Sequence, residues 1–228
     1  VVLAVQKPLV PLMKASFEPQ VRVVALGEAP PTELHCFLMS LPLAFGTTLA
    51  TVPAQVPYLH APAALLARWR KALDPQRPNV GITWSGNPAQ SADHRRSMPL
   101  RTLLQALPDG PRYWVLQNNV SDEERALLQA DGRVGLFSEK TFEDTAAQTA
   151  LMDVVVTVDT SISQLACALG RPTWILLSFT ADFRYHLGRE DMPWNPTATL
   201  LRQERPFDWS APLARVAAML RGLGEQRE

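Results

Sequence analysis

The chain has 228 residues, 46% hydrophobic and 19% charged, an ordinary globular balance with enough length to bury a sizeable core. Lys and Arg total 22 and so do Asp and Glu, so no net field draws the chain to nucleic acid or to an acidic membrane surface. No apolar run approaches a membrane-spanning length, and the start, "VVLAVQKPLVPLMKA", has neither the basic segment nor the cleavage site of a signal peptide.

The missing initiating Met reads as a start partway through something larger. "VVLAVQ" (1–6), a helix from about Pro8 to Ala15 and "VRVVALG" (21–27) set a β/α rhythm. The Pro-rich stretch 41–62 lacks periodicity and reads as a linker, and "AALLARWRKAL" (63–73) as an amphipathic helix after it. From residue 79 the pattern is regular. "NVGITW" (79–84), "RYWVLQ" (112–117), "VGLF" (134–137), "DVVVTV" (153–158) and "TWILLS" (173–178) are short apolar runs suited to strands buried on both faces. Helices fall between them. Leu100, Leu103, Leu104 and Leu107 follow helical spacing behind Ser97 and Pro99, and Ser121 to Glu124 reads as a capping box. "DTAAQTALM" (144–152) and "SISQLACALG" (161–170) are two more, the second closed by Gly170 and Pro172. Leu213, Val216, Ala217 and Leu220 form a last stripe, predicted to stop near Gly222. This alternation predicts an α/β fold with a doubly wound parallel sheet.

In such a sheet ligands bind at the carboxyl ends of strands, and four of those ends are chemically rich. The first is Ser85-Gly86-Asn87, with a polar loop carrying Arg95 and Arg96. The second is Gln117-Asn118-Asn119. The third is Ser138 and Lys140, then Asp144 and Thr145 opening a helix. The fourth is Asp159-Thr160-Ser161. Free amides at 160–163 would hold a phosphate through hydrogen bonds and the helix dipole, with Arg96 as a mobile cation. Singly, each has a plainer role: Thr160 and Ser161 as caps, Asp144 and Thr145 as a first-turn acid and a cap, the arginines as solvated loop charges. Together, at successive strand ends, they point to a ligand site.

Other chemistries find little support. His35, His60, His94 and His186 are scattered without metal-ligand spacing, and no nucleophile elbow, P-loop or GxGxxG string occurs. Cys36 and Cys167 stand among apolar neighbours outside any CxxC pair, which predicts two buried free thiols and suits a reducing cytoplasm.

Taken in order, "VGITWSGNP", "RRSMPL", "VLQ", "FEDTAAQTALMDVVVTVDTSISQLACALGRPTWILL", "DFRYHLGREDMPWNP" and "LLRQ" resemble the glycosyltransferase-like domain that follows tetratricopeptide repeats in many bacterial proteins. That family is related to the O-linked N-acetylglucosamine transferases and the lipopolysaccharide heptosyltransferases. The resemblance runs from about residue 20 onward. It implies a GT-B architecture, with a truncated N-terminal Rossmann-like lobe and linker over 1–62 and a nucleotide-sugar-binding lobe over 63–228. It implies a cytoplasmic, metal-independent, inverting transferase of hexosyl or N-acetylglucosaminyl type that needs no cofactor, takes a nucleotide-diphosphate sugar (a UDP-sugar favoured) and passes the sugar to a protein or glycan acceptor.

On this resemblance Asp159, Thr160 and Ser161 would hold the diphosphate, Arg96 would supply the cation, and Gln117 would meet the nucleoside. Ser85, Gly86 and Asn87 would line the cleft, and Asp144, Thr145 and Gln164 complete the donor-binding set. Three departures stand out. Gln164 and Gln90 replace histidines, and Ala92-Asp93 replaces an Asn-Asp pair. Glutamine donates a hydrogen bond but carries no charge, so phosphate stabilisation should weaken. No general base is identifiable, and a degenerate GT-B module serving as a binding domain is the alternative. A GT-B-type epimerase fits the family string less well.

Overall fold

The structure, a computed structural model, describes residues 1–138 and 141–225. Lys140, one of the strand-end residues, lies outside them. In chain order the elements are β1 (Val2–Val5), α1 (Val10–Phe17), β2 (Arg22–Ala25), α2 (Leu41–Ala44), α3 (Ala63–Arg70), β3 (Asn79–Thr83), α4 (Asp93–Arg96), α5 (Leu100–Ala106), β4 (Arg112–Val115), α6 (Asp122–Ala130), β5 (Val134–Leu136), α7 (Phe142–Ala150), β6 (Val154–Val158), α8 (Ser161–Ala168), β7 (Thr173–Leu177), β8 (Ala198–Arg202) and α9 (Ser210–Glu225). Strands β3 to β8 form one parallel sheet in the order β5-β4-β3-β6-β7-β8, and β1 pairs with β2 separately. The order runs outward in both directions from β3 and β6, so the chain reverses direction across the sheet between those two strands.

Every residue of β3, β6 and β7 is buried, because helices cover both faces. On one face α5, α6 and α9 pack Leu103, Leu128, Leu213, Val216 and Leu220 against Val80, Ile82 and Val156. On the other, α3, α7 and α8 bury Trp69, Ala146, Ala147 and Leu165 with Leu116 and Val155. Leu12 of α1 and Leu59 enter that second cluster, and the amides of Tyr58 and Leu59 both donate to Ala168 O. The larger sheet thus starts at β3, while Leu12 and Leu59 ahead of it share one of the core clusters that cover it.

Several expectations change. Strand β8 was not foreseen outside the family string; its burial alternates at the sheet edge instead of forming an unbroken apolar run. Ser97 does not cap α5. Pro99 occupies the N-cap, and the Ser97 hydroxyl turns to Asp93. Helix α9 runs through Gly222, because Leu213, Val216 and Leu220 bury one continuous stripe. Cys167 is buried as expected, but Cys36 is exposed, together with Leu34, Phe37, Met39 and Leu43 around it. Among the described residues, no helix is long and apolar enough to cross a membrane.

One glycine is set by packing. Trp114 of β4 stacks on Phe137 at 4.8 Å, donates through Nε1 to Asn79 Oδ1 at 2.9 Å, and lies over its sheet partner Gly135. A Cβ on Gly135 would sit 2.5 Å from Trp114 Cζ3. Gly135→Ala is therefore expected to cost about 1–3 kcal/mol through overpacking. Chemical denaturation checks it, and an unchanged midpoint would show that the indole has room to move.

Candidate functional site

The reversal between β3 and β6 places two strand ends side by side. In the register Thr83 pairs with Thr157, so Ser85-Gly86-Asn87 and Asp159-Thr160-Ser161 emerge next to each other at the carboxyl edge. A cavity of about 380 Å3 opens there, lined by Thr83, Ser85, Gly86, Asn87, Gln90, Arg96, Gln117, Asn118, Asn119, Thr160, Ser161 and Ile162. Its size is that of a small-ligand site, and its position is where open α/β sheets bind ligands.

One wall is the start of α8. Thr160 is the N-cap, its Oγ1 accepting from the Ile162 amide at 3.2 Å, while its carbonyl accepts from the Ser163 amide and hydroxyl. The Ser161 amide donates to no group among the described residues, the ordinary condition of a first helical residue. Facing it stands Arg96, the only charged residue among the lining residues. Its Nε donates to Asp93 Oδ1 at 2.9 Å, its Nη2 donates to Gln90 Oε1, and Nη1 has no protein partner among the described residues. A guanidinium opposite a helix N-terminus is an arrangement for an anion.

The arginine is held in a contact that a side chain at position 86 would disturb. Asp93 is buried on the short helix α4, three residues from Arg96, and accepts at its other oxygen from Ser97 Oγ at 2.8 Å. Ser97 Oγ in turn accepts from the Gly86 amide at 3.0 Å. A Cβ at Gly86 would overlap both the Asp93 carboxylate and the Arg96 guanidinium. The Asp93-to-Arg96 spacing is the sequence signal for this unit, and Asp93 is the retained half of the pair in which Ala92 departs from the family.

Gln117 is the second brace. Its Oε1 accepts from the amides of Trp84 and Ser85 at 3.2 and 3.0 Å, and its Nε2 donates to Ser85 Oγ and Asn119 O at 2.8 and 2.7 Å. Gln117 thus lines the cavity with its amide already saturated, locking the end of β3 to the end of β4. Beyond it lies a second cavity of about 520 Å3, which shares Ser85, Gly86, Asn118 and Asn119 with the first. This one carries the carboxylates of Asp93 and Glu124, the latter accepting from Trp84 Nε1 and from Ser121.

Ser85, Gly86, Asn87, Arg96, Gln117, Thr160 and Ser161 thus meet at one cavity, with Thr83, Gln90 and Ile162 added by the structure. Four expected residues do not. Thr141 caps α7, and Asp144 closes the capping box while accepting from the buried Trp69 Nε1 at 3.0 Å. Thr145 Oγ1 bonds back to Thr141 O at 3.0 Å. Asp144 is thus engaged by Trp69 of α3 and by its own cap, and Thr145 by the cap alone. Asp159 turns to Tyr185 and Arg184, and Gln164 to Tyr185 and Asn195, behind the helix start. Trp174 and Trp209 are buried in the core. Among the described residues no group of three His, Cys, Asp or Glu side chains could hold a metal ion.

No protein-family model matches the chain. Among curated proteins it is 27% identical over 183 residues to Protein FlbA of Caulobacter vibrioides, a match covering 76% of this chain; the chain spans about 30% of that relative's length. Among solved structures it resembles E. coli ADP-heptose lipopolysaccharide heptosyltransferase II, with a TM-score of 0.62 at 13% identity, covering 99% of this chain and 89% of that one. It also resembles a family 9 glycosyltransferase of Veillonella parvula, with a TM-score of 0.53 at 12% identity, covering 92% of this chain and 64% of that one. The chain has a GT-B-like α/β fold.

Gly86→Ala is expected to displace the Arg96 guanidinium and to weaken binding of inorganic pyrophosphate about tenfold, while the melting temperature moves by only a few degrees. Calorimetric titration beside a melt distinguishes this from general unfolding. Asp144 yields a pH prediction. Burial alone would raise its carboxyl, yet the hydrogen bonds from Thr141 and Trp69 hold it below the ordinary value. Its stabilisation is then full above the unfolded value near ~3.9 and fades as pH falls through the lower folded value. Asp144→Ala should cost about 2 kcal/mol at pH 7, and the gap from wild type in urea should narrow below about pH 4.

Proposed function

We propose that this protein is a glycosyltransferase, or the donor-binding part of one, that uses a nucleotide-diphosphate sugar without a metal ion. The observation that carries this reading is one cavity lined both by Arg96 and by the α8 N-terminus at the reversal between β3 and β6. The sugar–phosphate bond of such a donor breaks with the electron pair leaving on the diphosphate, so the catalyst must stabilise charge that grows on phosphate oxygens. The Ser161 amide, the α8 dipole and Arg96 Nη1 are free to do so. An acceptor hydroxyl entering from the opposite face would invert the anomeric carbon. On this reading the neutral nucleoside would take the adjoining cavity, whose carboxylates would repel the diphosphate and so set the donor's direction. The GT-B-like fold adds support, and the ADP-heptose in the name of one structural neighbour makes an adenosine donor worth testing beside the expected uridine one.

The tests are calorimetric titrations with ADP, UDP and GDP, followed by release of sugar from the conjugate of whichever binds. One of the three should bind, and heat from none overturns the reading. Ser161→Pro is the sharper variant. Proline is tolerated at a first helical position, and the extended Thr160 before it (φ −138°, ψ 177°) accepts a following proline. The substitution therefore removes the free amide and leaves α8 intact, so affinity should fall about tenfold relative to Ser161→Ala. Arg96→Ala should fall at least as far. Binding without sugar release favours a nucleotide-sugar-binding module, a reading helped by the uncharged Gln164 tied to Tyr185 and Asn195.

A further inference from the structure

The turn that opens α8 carries a carboxylate one residue before the cap of the helix start that would face the proposed ligand's charge. Asp159 immediately precedes the N-cap Thr160, and an ionised side chain there opposes any anion at Ser161. Its surroundings cancel it. Tyr185, wholly buried, donates its hydroxyl proton to Asp159 Oδ1, and Arg184 Nη2 stands 3.8 Å from the same oxygen. Arg184 is fixed in turn by Asp182 at 2.8 Å. Burial, reinforced by the charge of Asp159, pushes the Tyr185 phenol well above its ordinary value, so it keeps its proton. That proton is committed, so the phenol oxygen accepts, and Gln164 Nε2 donates to it at 3.2 Å. Gln164 Oε1 accepts from Asn195 Nδ2 at 3.3 Å. The donors all point one way, from Asn195 through Gln164 and Tyr185 to Asp159. Position 164 must offer a donor and an acceptor at once without adding charge, and glutamine does both.

We infer that Tyr185 is a positioning residue for the bound diphosphate, a mask that holds the Asp159 carboxylate against Arg184 and off the α8 N-terminus, with Gln164 and Asn195 setting the direction of its hydroxyl. The inference rests on the nucleotide-sugar reading above. It differs from a purely structural role in one respect: the damage done by losing the hydroxyl should be repaired by removing the charge it masks.

The experiment uses the full chain and whichever of ADP, UDP and GDP the wild type binds. Tyr185→Phe deletes only the hydroxyl and should weaken that nucleotide about tenfold, the order expected when a charge beside a bound anion is unmasked. Adding Asp159→Asn to Tyr185→Phe should restore affinity to within about twofold of wild type. Equal binding by wild type and Tyr185→Phe overturns the inference, as does a double variant weaker than the single one, because Asp159 would then meet the ligand itself. If Tyr185→Phe does not fold, Asp159→Asn alone carries the test: affinity at or above wild type supports the mask, and lost affinity overturns it. Absence of binding by the wild type overturns the nucleotide-sugar reading and this inference with it, whereas the other failures leave that reading standing.

Discussion

The pairing of β3 with β6 is the constraint from which the site follows. These strands are far apart in sequence, and their neighbours in the sheet extend outward in opposite directions. The helix after β3 therefore packs on one face and the helix after β6 on the other, and a crevice is left between the two strand ends. Inside that pairing the Thr83 and Thr157 hydroxyls bond to each other at zero or near-zero exposure, and Thr157 lies 3.3 Å from the cap Thr160. Val80 to Thr83 pair residue by residue with Val154 to Thr157, and a slip in that register would part the two threonines. The floor of the crevice is thus specified by two buried hydroxyls, and that of Thr157 also reaches Val158 O and Thr160, on strands otherwise apolar apart from Asn79.

Most polar side chains around the cavity are already engaged with one another. Gln117 meets four partners, Asp93 holds Arg96 and Ser97, and Glu124 holds Trp84 and Ser121. Such a network stiffens the loops before any ligand arrives, which lowers the ordering cost of binding. Among the described residues the charged or dipolar capacity left over is a helix-start amide and one nitrogen of a guanidinium, beside the side chains of Asn118, Asn119 and Ser161. An anion is the ligand class that such leftover groups would suit, through backbone and dipole.

The sheet was legible because its strands are unbroken β-branched and aromatic runs, "DVVVTV" above all, separated by helices with readable caps such as Ser121 to Glu124. Thr160 and Arg96 were legible as chemistry, and the rule that open α/β sheets bind ligands at strand carboxyl ends already directed both to one anion. The losses have a common physical cause. Asp144 and Gln164 are residue types that serve ligands and internal networks equally well, and which role each takes depends on a partner distant in sequence, Trp69 for Asp144 and Tyr185 for Gln164, while Thr145 turns to Thr141 in its own helix start. Strand β8 was passed over because an edge strand alternates instead of running apolar throughout. Cys36 was misplaced because its apolar neighbours are themselves exposed, so local hydrophobicity carried no burial.

The two cavities share one wall, Ser85-Gly86 and Asn118-Asn119, but carry opposite charge: Arg96 and a helix N-terminus on one side, Asp93 and Glu124 on the other. Asp93 lines only the second cavity, but its carboxylate also grips the guanidinium facing the first. The attraction that holds Arg96 in place therefore also sets the polarity of the groove. A ligand with one anionic end and one neutral end has a single favourable direction here, because reversing it would place its phosphates beside two carboxylates. Orientation thus depends on the same Gly86-permitted contact that places the cation, which ties the backbone geometry of one residue to the direction in which a donor can lie.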